Sequence, residues 1–185
     1  MEWYQIIFLV ISLALLLAIL INPKIRLFNL IIQQMKVFVK FNPKITKQKL
    51  SLHDMIAFII APIVISTIIV WGFNFIFLAD VATVLVTVFS IIFTVLFGFI
   101  SVLVGKTNSS NKIEKQLVSE TFTSIVSAML LAILSAVLLI IYLSVPGNIL
   151  LIKLISNIVI WFSLVSLLLL LMITKRSYII FSNAK

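Results

Sequence analysis

Residues 82–104 read "ATVLVTVFSIIFTVLFGFISVLV", with no charged side chain from end to end. A helix needs roughly 18 to 20 apolar residues to cross the hydrocarbon core of a bilayer, so this segment is long enough to span one. Its few polar and small positions are ordered. Thr83, Thr87, Ser90, Thr94, Gly98, Ser101 and Gly105 follow one another at steps of three and four, which keeps them on one helical face opposite Val, Leu, Ile and Phe. Small and hydroxyl residues let membrane helices approach closely and hydrogen-bond across the contact, for about 0.6 and at most about 2 kcal/mol per bond. The stripe is therefore expected to pack against other helices, within the chain or between protomers. Its alternative use is to line an oligomeric pore, one with no ring of charge to give it selectivity.

Outward from this segment the same character continues. Of the 185 residues, 63% are hydrophobic and 10% charged, far from the roughly one-quarter charged of a soluble domain. Apolar runs fall at about 4–22, 55–78, 82–104, 121–145 and 149–173. The expected fold is all-α: a polytopic transmembrane bundle of five spans, a single membrane domain over 1–185. What lies between the spans is too short for a separate soluble domain.

Charge placement orients the bundle. Seven of the 14 basic residues lie between the first two spans (Lys24, Arg26, Lys36, Lys40, Lys44, Lys47, Lys49), three between the third and fourth (Lys106, Lys112, Lys115), and three after the last (Lys175, Arg176, Lys185). Short cytoplasmic loops carry the Lys/Arg excess, and five spans put all three segments on that side. The expected location is the bacterial inner membrane, N-terminus outside and C-terminus cytoplasmic. The first apolar run has Glu2 where a secretory signal has basic residues, and it runs into Asn22-Pro23. It reads as a retained span with Trp3 and Tyr4 at the outer interface.

Between the first two spans, "INPKI" at 21–25 returns as "FNPKI" at 41–45. Asn caps helices, and Pro is accepted only in a first turn, so the repeat reads as punctuation. Between the two, Arg26, Asn29, Gln33, Lys36 and Lys40 form a polar stripe on a helix expected at about 24–41. A basic amphipathic helix of this kind lies on the inner leaflet. Arg26, Lys36, Lys40, Lys44, Lys47 and Lys49 are the candidate contacts to anionic lipid, or to an acidic cytosolic protein. Nucleic acid is not an expected contact, because no recognised fold accompanies the charge. Ser51 and Asp54 have the capping-box spacing that would open the second span. His53, the only histidine, reads as an interface residue.

Within the second span Pro62 predicts a kink, with hydroxyls or neighbours covering the carbonyl it frees. Trp71 and Asn74 are expected near the outer interface, and Asp80 as the N-cap of the third span. In the fourth span Thr121, Ser124, Ala128, Ala132 and Ser135 continue the small-residue theme. Lys153 lies close to the preceding turn and is expected to snorkel outward. Asn157 and Trp161 follow it at steps of four, and Asn157 and Ser156 read as bundle hydrogen-bonders or as part of a polar path running inward from Lys153.

No nucleophile with its base and no metal-ligand set stands at helical depth, so an enzyme is not expected, nor a metal or cofactor. The five carboxylates (Glu2, Asp54, Asp80, Glu114, Glu120) sit at span ends, which argues against proton relay. "TVLVTVFSIIFTVLFGFISVLV" and "KQLVSETFTSIVSAMLLAILSAVLL" together resemble the paired-span core of small bacterial membrane proteins found in phage-defence modules. The resemblance covers about a third of the chain. It places Glu120 at the opening of the second helix of the pair and carries over only Gly98, Ser119, Glu120 and Thr121. It implies a membrane subunit that senses infection or damages the membrane together with a cytosolic partner. The leading expectation is such an anchor and sensor, homo-oligomeric through spans three and four. A pore-forming effector is the second, and an accessory protein for bacteriocin immunity or transport the third.

Overall fold

The computed structural model describes residues 34, 39–40, 49–50, 56–105, 112–144 and 148–182. Four helical elements dominate it. The first, α1, is an α-helix over Ala61–Thr67 flanked by π-helical turns at Ile56–Ile60 and Ile68–Gly72. Three long helices follow: α2 over Ala79–Val104, α3 over Lys112–Ser144 and α4 over Ile149–Ser182. All three contain a segment long and apolar enough to cross a membrane: Ala79–Val104, Lys115–Ser144 and Ile149–Tyr178. Ahead of them lies a two-residue antiparallel ladder, β1 at Val39–Lys40 and β2 at Lys49–Leu50, with Val39 opposite Leu50 and Lys40 opposite Lys49.

Three of the five expected spans are thus present as long helices, and the differences lie mainly at the ends. The expected first span at 4–22 is outside the described residues. The second, expected at 55–78, is helical only to Gly72. Its apolar helix Phe58–Gly72 is shorter than the other three, and residues 74–78 are not helical. Pro62 has no N–H to offer the carbonyl four residues back, and the wider turn of the π-helix immediately before it is the accommodation. The nearby hydroxyls do something other than expected. Ser66 Oγ and Thr67 Oγ1 both donate to the Ile63 carbonyl, at 2.9 and 2.8 Å, not to that of Phe58. Of the interfacial helix expected at 24–41, Gln34 is helical, whereas Val39 and Lys40 pair as strand. The approach to Asn42-Pro43 favours extended backbone; the rest of that segment lies outside the described residues.

Asp80 is not the N-cap of α2. Leu78 holds that position in extended geometry without a side-chain cap bond, and Asp80 sits in the first turn, where its charge suits the positive end of the helix dipole. The fourth span starts earlier than 121, because the helix already runs from Lys112. The fifth continues beyond 173 to Ser182. Asn148 caps α4, its Oδ1 accepting from Leu151 N–H at 3.3 Å.

In packing, α3 is the central helix, in contact with both α2 and α4, while α1 lies against α4. The side of α2 that turns inward is Ala82, Phe89, Leu96 and Leu103, all buried and all seven residues apart. A seven-residue repeat holds a single seam against a neighbouring helix over the whole length of the contact. On α3 the buried positions include Thr121, Ser124, Ala128, Ala132, Ser135 and Leu139, so here the small residues do admit close neighbours, as their spacing predicts. The core falls into two clusters along the bundle. One joins Leu96 and Leu103 to Val118, Ile125, Leu169 and Ile173, the other Ala82 and Phe89 to Leu139, Tyr142, Ile155 and Val159.

Candidate functional site

The described residues place polar chemistry at three locations: the outer face of α2, one ion pair between α3 and α4, and a cluster where the connection between α1 and α2 meets α4.

The α2 stripe faces away from the bundle. Thr83, Thr87, Ser90, Thr94, Gly98 and Ser101 are all exposed, and a side chain added at Gly98 would meet nothing within 4 Å. Among the described residues this face is therefore not packed against another helix of the chain. The hydroxyls instead bond the carbonyls of their own helix four residues back: Thr83 to Ala79 at 3.0 Å, Ser90 to Val86 and Thr94 to Ser90 at 2.9 Å. With no water in hydrocarbon, this is how a lipid-facing hydroxyl satisfies its donor. In the most apolar segment of α2 only 11% is buried, against 39% in α3 and 28% in α4.

Toward the other end of α2, Arg176 of α4 reaches across to Glu120 of α3 at 3.3 Å. Gln116, one turn before Glu120, donates to the second carboxylate oxygen at 3.0 Å. The Nη1 atom of Arg176 is buried without a partner. Sequence reasoning assigned Arg176 to a basic tail and Glu120 to a helix start. In the structure both lie within long helices, and the pair is the only ion pair among the described residues. The sequence held only part of the signal: an arginine follows one apolar run and two carboxylates, Glu114 and Glu120, precede another, and only the antiparallel register of the helices selects the pair.

The third cluster sits where α3 ends and α4 begins. Asn74 adopts a left-handed backbone, φ 53°, a conformation that Asn tolerates better than most residues. Its Oδ1 accepts from Lys153 Nζ at 2.7 Å, and the same ammonium lies 5.6 Å from the centre of the Trp71 ring. Below it, Tyr142 donates its hydroxyl proton to the Phe77 carbonyl, and the Phe77 ring meets those of Phe75 and Tyr142 edge to face at 5.3 and 6.2 Å. Lys153 was expected to snorkel outward, and its ammonium meets two side chains 79 and 82 positions earlier in the chain, contacts that no local pattern announces.

Farther along α4, Ser156 Oγ, Asn157 Oδ1 and Trp161 Nε1 are buried without partners. Gln34 accepts from Ser127 Oγ at 3.3 Å through its Oε1. Of the candidate lipid- or partner-binding residues, Arg26, Lys36, Lys44 and Lys47 lie outside the described residues, and Lys40 and Lys49 are placed by backbone alone in the β1–β2 ladder. His53 and the Ser51/Asp54 capping pair also lie outside. Among the described residues no three His, Asp or Glu side chains gather in a way that would hold a metal ion.

Fold and polar placement together define a helical membrane protein. Comparison of the chain with protein-family models, with curated proteins and with solved structures found no match.

Proposed function

We propose that this chain is a non-catalytic subunit of the bacterial inner membrane that anchors and senses for a defence system against phage, assembling with copies of itself and recruiting a cytosolic protein. The observation that carries this reading is the outward face of α2: a full-length stripe of small and hydroxyl residues that its own bundle leaves uncovered. Such a face suits close helix contact with a second membrane chain. The resemblance of the α2–α3 pair to membrane subunits of phage-defence modules supplies the biological setting. The basic residues between 24 and 49 supply a surface for anionic lipid and for an acidic partner.

The test is purification from the native host in mild detergent, followed by the mass of the intact complex. A homo-oligomer with a stoichiometric soluble protein is expected. Changing Lys36, Lys40, Lys44 and Lys47 to Gln should release the soluble chain and leave the oligomer intact. Changing Thr87, Ser90 and Thr94 to Leu should instead lower the oligomer mass without unfolding the monomer, because all three side chains point away from the core. A homo-oligomer without a soluble partner, leaking ions in planar bilayers, would replace this reading with that of a pore-forming effector. A monomer would remove both.

A further inference from the structure

We infer that Lys153, Asn74 and Trp71 form a binding site for the phosphate of an anionic membrane phospholipid at the end of the bundle where α3 gives way to α4. The ammonium of Lys153 donates one hydrogen bond, to Asn74 Oδ1 at 2.7 Å, and an ammonium has three N–H groups to give. Neither contact is a countercharge: Asn74 is neutral and Trp71 offers a ring face. Among the described residues the carboxylate at this same end, Asp80, makes no ion pair, since the single ion pair is Arg176 with Glu120. Among the described residues Lys153 therefore has no countercharge, and its direction is fixed by Asn74 and Trp71.

The surroundings suit a lipid better than a soluble anion. Phe73, Leu78, Ile149 and Leu150 are exposed at 79, 73, 65 and 65% respectively, so the charge is rimmed by apolar surface of the kind acyl chains cover. Trp71 is itself half exposed, and an indole at the level of the headgroups is the usual membrane-interface placement. The platform is also braced before any ligand arrives. The left-handed backbone at Asn74 and the Tyr142 hydrogen bond to Phe77 hold the connecting segment against α3 and α4, so little ordering is left for the lipid to impose.

Trp71 makes the site observable. In the full chain with Trp3 and Trp161 changed to Phe, Trp71 is the sole tryptophan. Reconstituted into phosphatidylcholine nanodiscs, its fluorescence should be quenched more by a small fraction of acyl-brominated phosphatidylglycerol than by the same fraction of brominated phosphatidylcholine. Lys153→Gln should reduce that preference about fivefold, the share one basic residue contributes at an anionic surface. Lys153→Arg, which keeps the charge, should retain it. The 24–49 segment is identical in all these proteins, so its attraction for the same lipid cancels. Helical circular dichroism and monodisperse elution show which variants are folded, and Lys153→Arg remains informative if Lys153→Gln is not. Equal quenching by the two lipids in the parent protein, a folded Lys153→Gln that keeps the preference, or loss of the preference in Lys153→Arg would each overturn the proposal. So would displacement of the brominated lipid by millimolar inorganic phosphate, which would make the ligand a soluble anion.

Discussion

Arg176 and Glu120 show how a single pair is weighed inside an apolar bundle. Each charge is costly to remove from water alone, and each makes the other tolerable. Their side chains are 16 and 29% exposed, so the cost is partly relieved by solvent or headgroups. Arg176→Met strands the Glu120 carboxylate with only Gln116 to hold it. It should destabilise the folded protein by about 3 kcal/mol, the low end of the range for breaking a buried pair. The double replacement Arg176→Met with Glu120→Leu removes both charges and should return most of that loss. Unfolding in sodium dodecyl sulfate distinguishes the two; a single variant as stable as the double would mean that the pair carries no interaction energy. Neither partner was legible in the sequence as a partner, since pairing needs the antiparallel register of α3 and α4. Lys153 is a similar case. Its charge and its closeness to a turn are written in the sequence, but its grip on Asn74 depends on where α1 ends.

At the scale of elements, long apolar runs read well and their boundaries read poorly. The three long helices lie where the runs at 82–104, 121–145 and 149–173 predict them. Their ends moved because Lys, Glu, Arg and Tyr continue a helix comfortably beyond the hydrocarbon. Thus α3 begins at Lys112, and α4 carries Lys175 and Arg176 within the helix. The second run failed for a different reason. Hydropathy counts Phe73 to Leu78 as span, yet backbone geometry at Phe73 and Asn74 stops the helix there. The face that α2 buries within the bundle is the seven-residue repeat Ala82, Phe89, Leu96, Leu103, which the regular spacing of small residues on the other side did not single out. This assignment is testable by truncation. Leu103→Ala removes a fully buried side chain and should cost about 2–5 kcal/mol. Val95→Ala, 65% exposed on the same helix, should cost little when measured by the same unfolding. The reverse ranking would put the seam on the wrong face.

For the whole molecule, we propose that the three long helices cross a bilayer in alternating directions, with the polar connection between α2 and α3 in the cytoplasm and the turn between α3 and α4 outside. The composition made a membrane protein plain, because so few charges cannot clothe a soluble surface of this size. The proposed assembly, the proposed soluble partner and the proposed lipid site all depend on that sidedness. The chain has no cysteine, so single cysteines can report it without background. The decisive measurement is labelling of Ser109→Cys and Ser144→Cys with a membrane-impermeant maleimide, in intact cells and again after the cytoplasm is opened. Labelling of position 144 in intact cells, and of position 109 only after opening, is the predicted result. Labelling of both positions from the same side would contradict a membrane-crossing α3 and, with it, the whole arrangement.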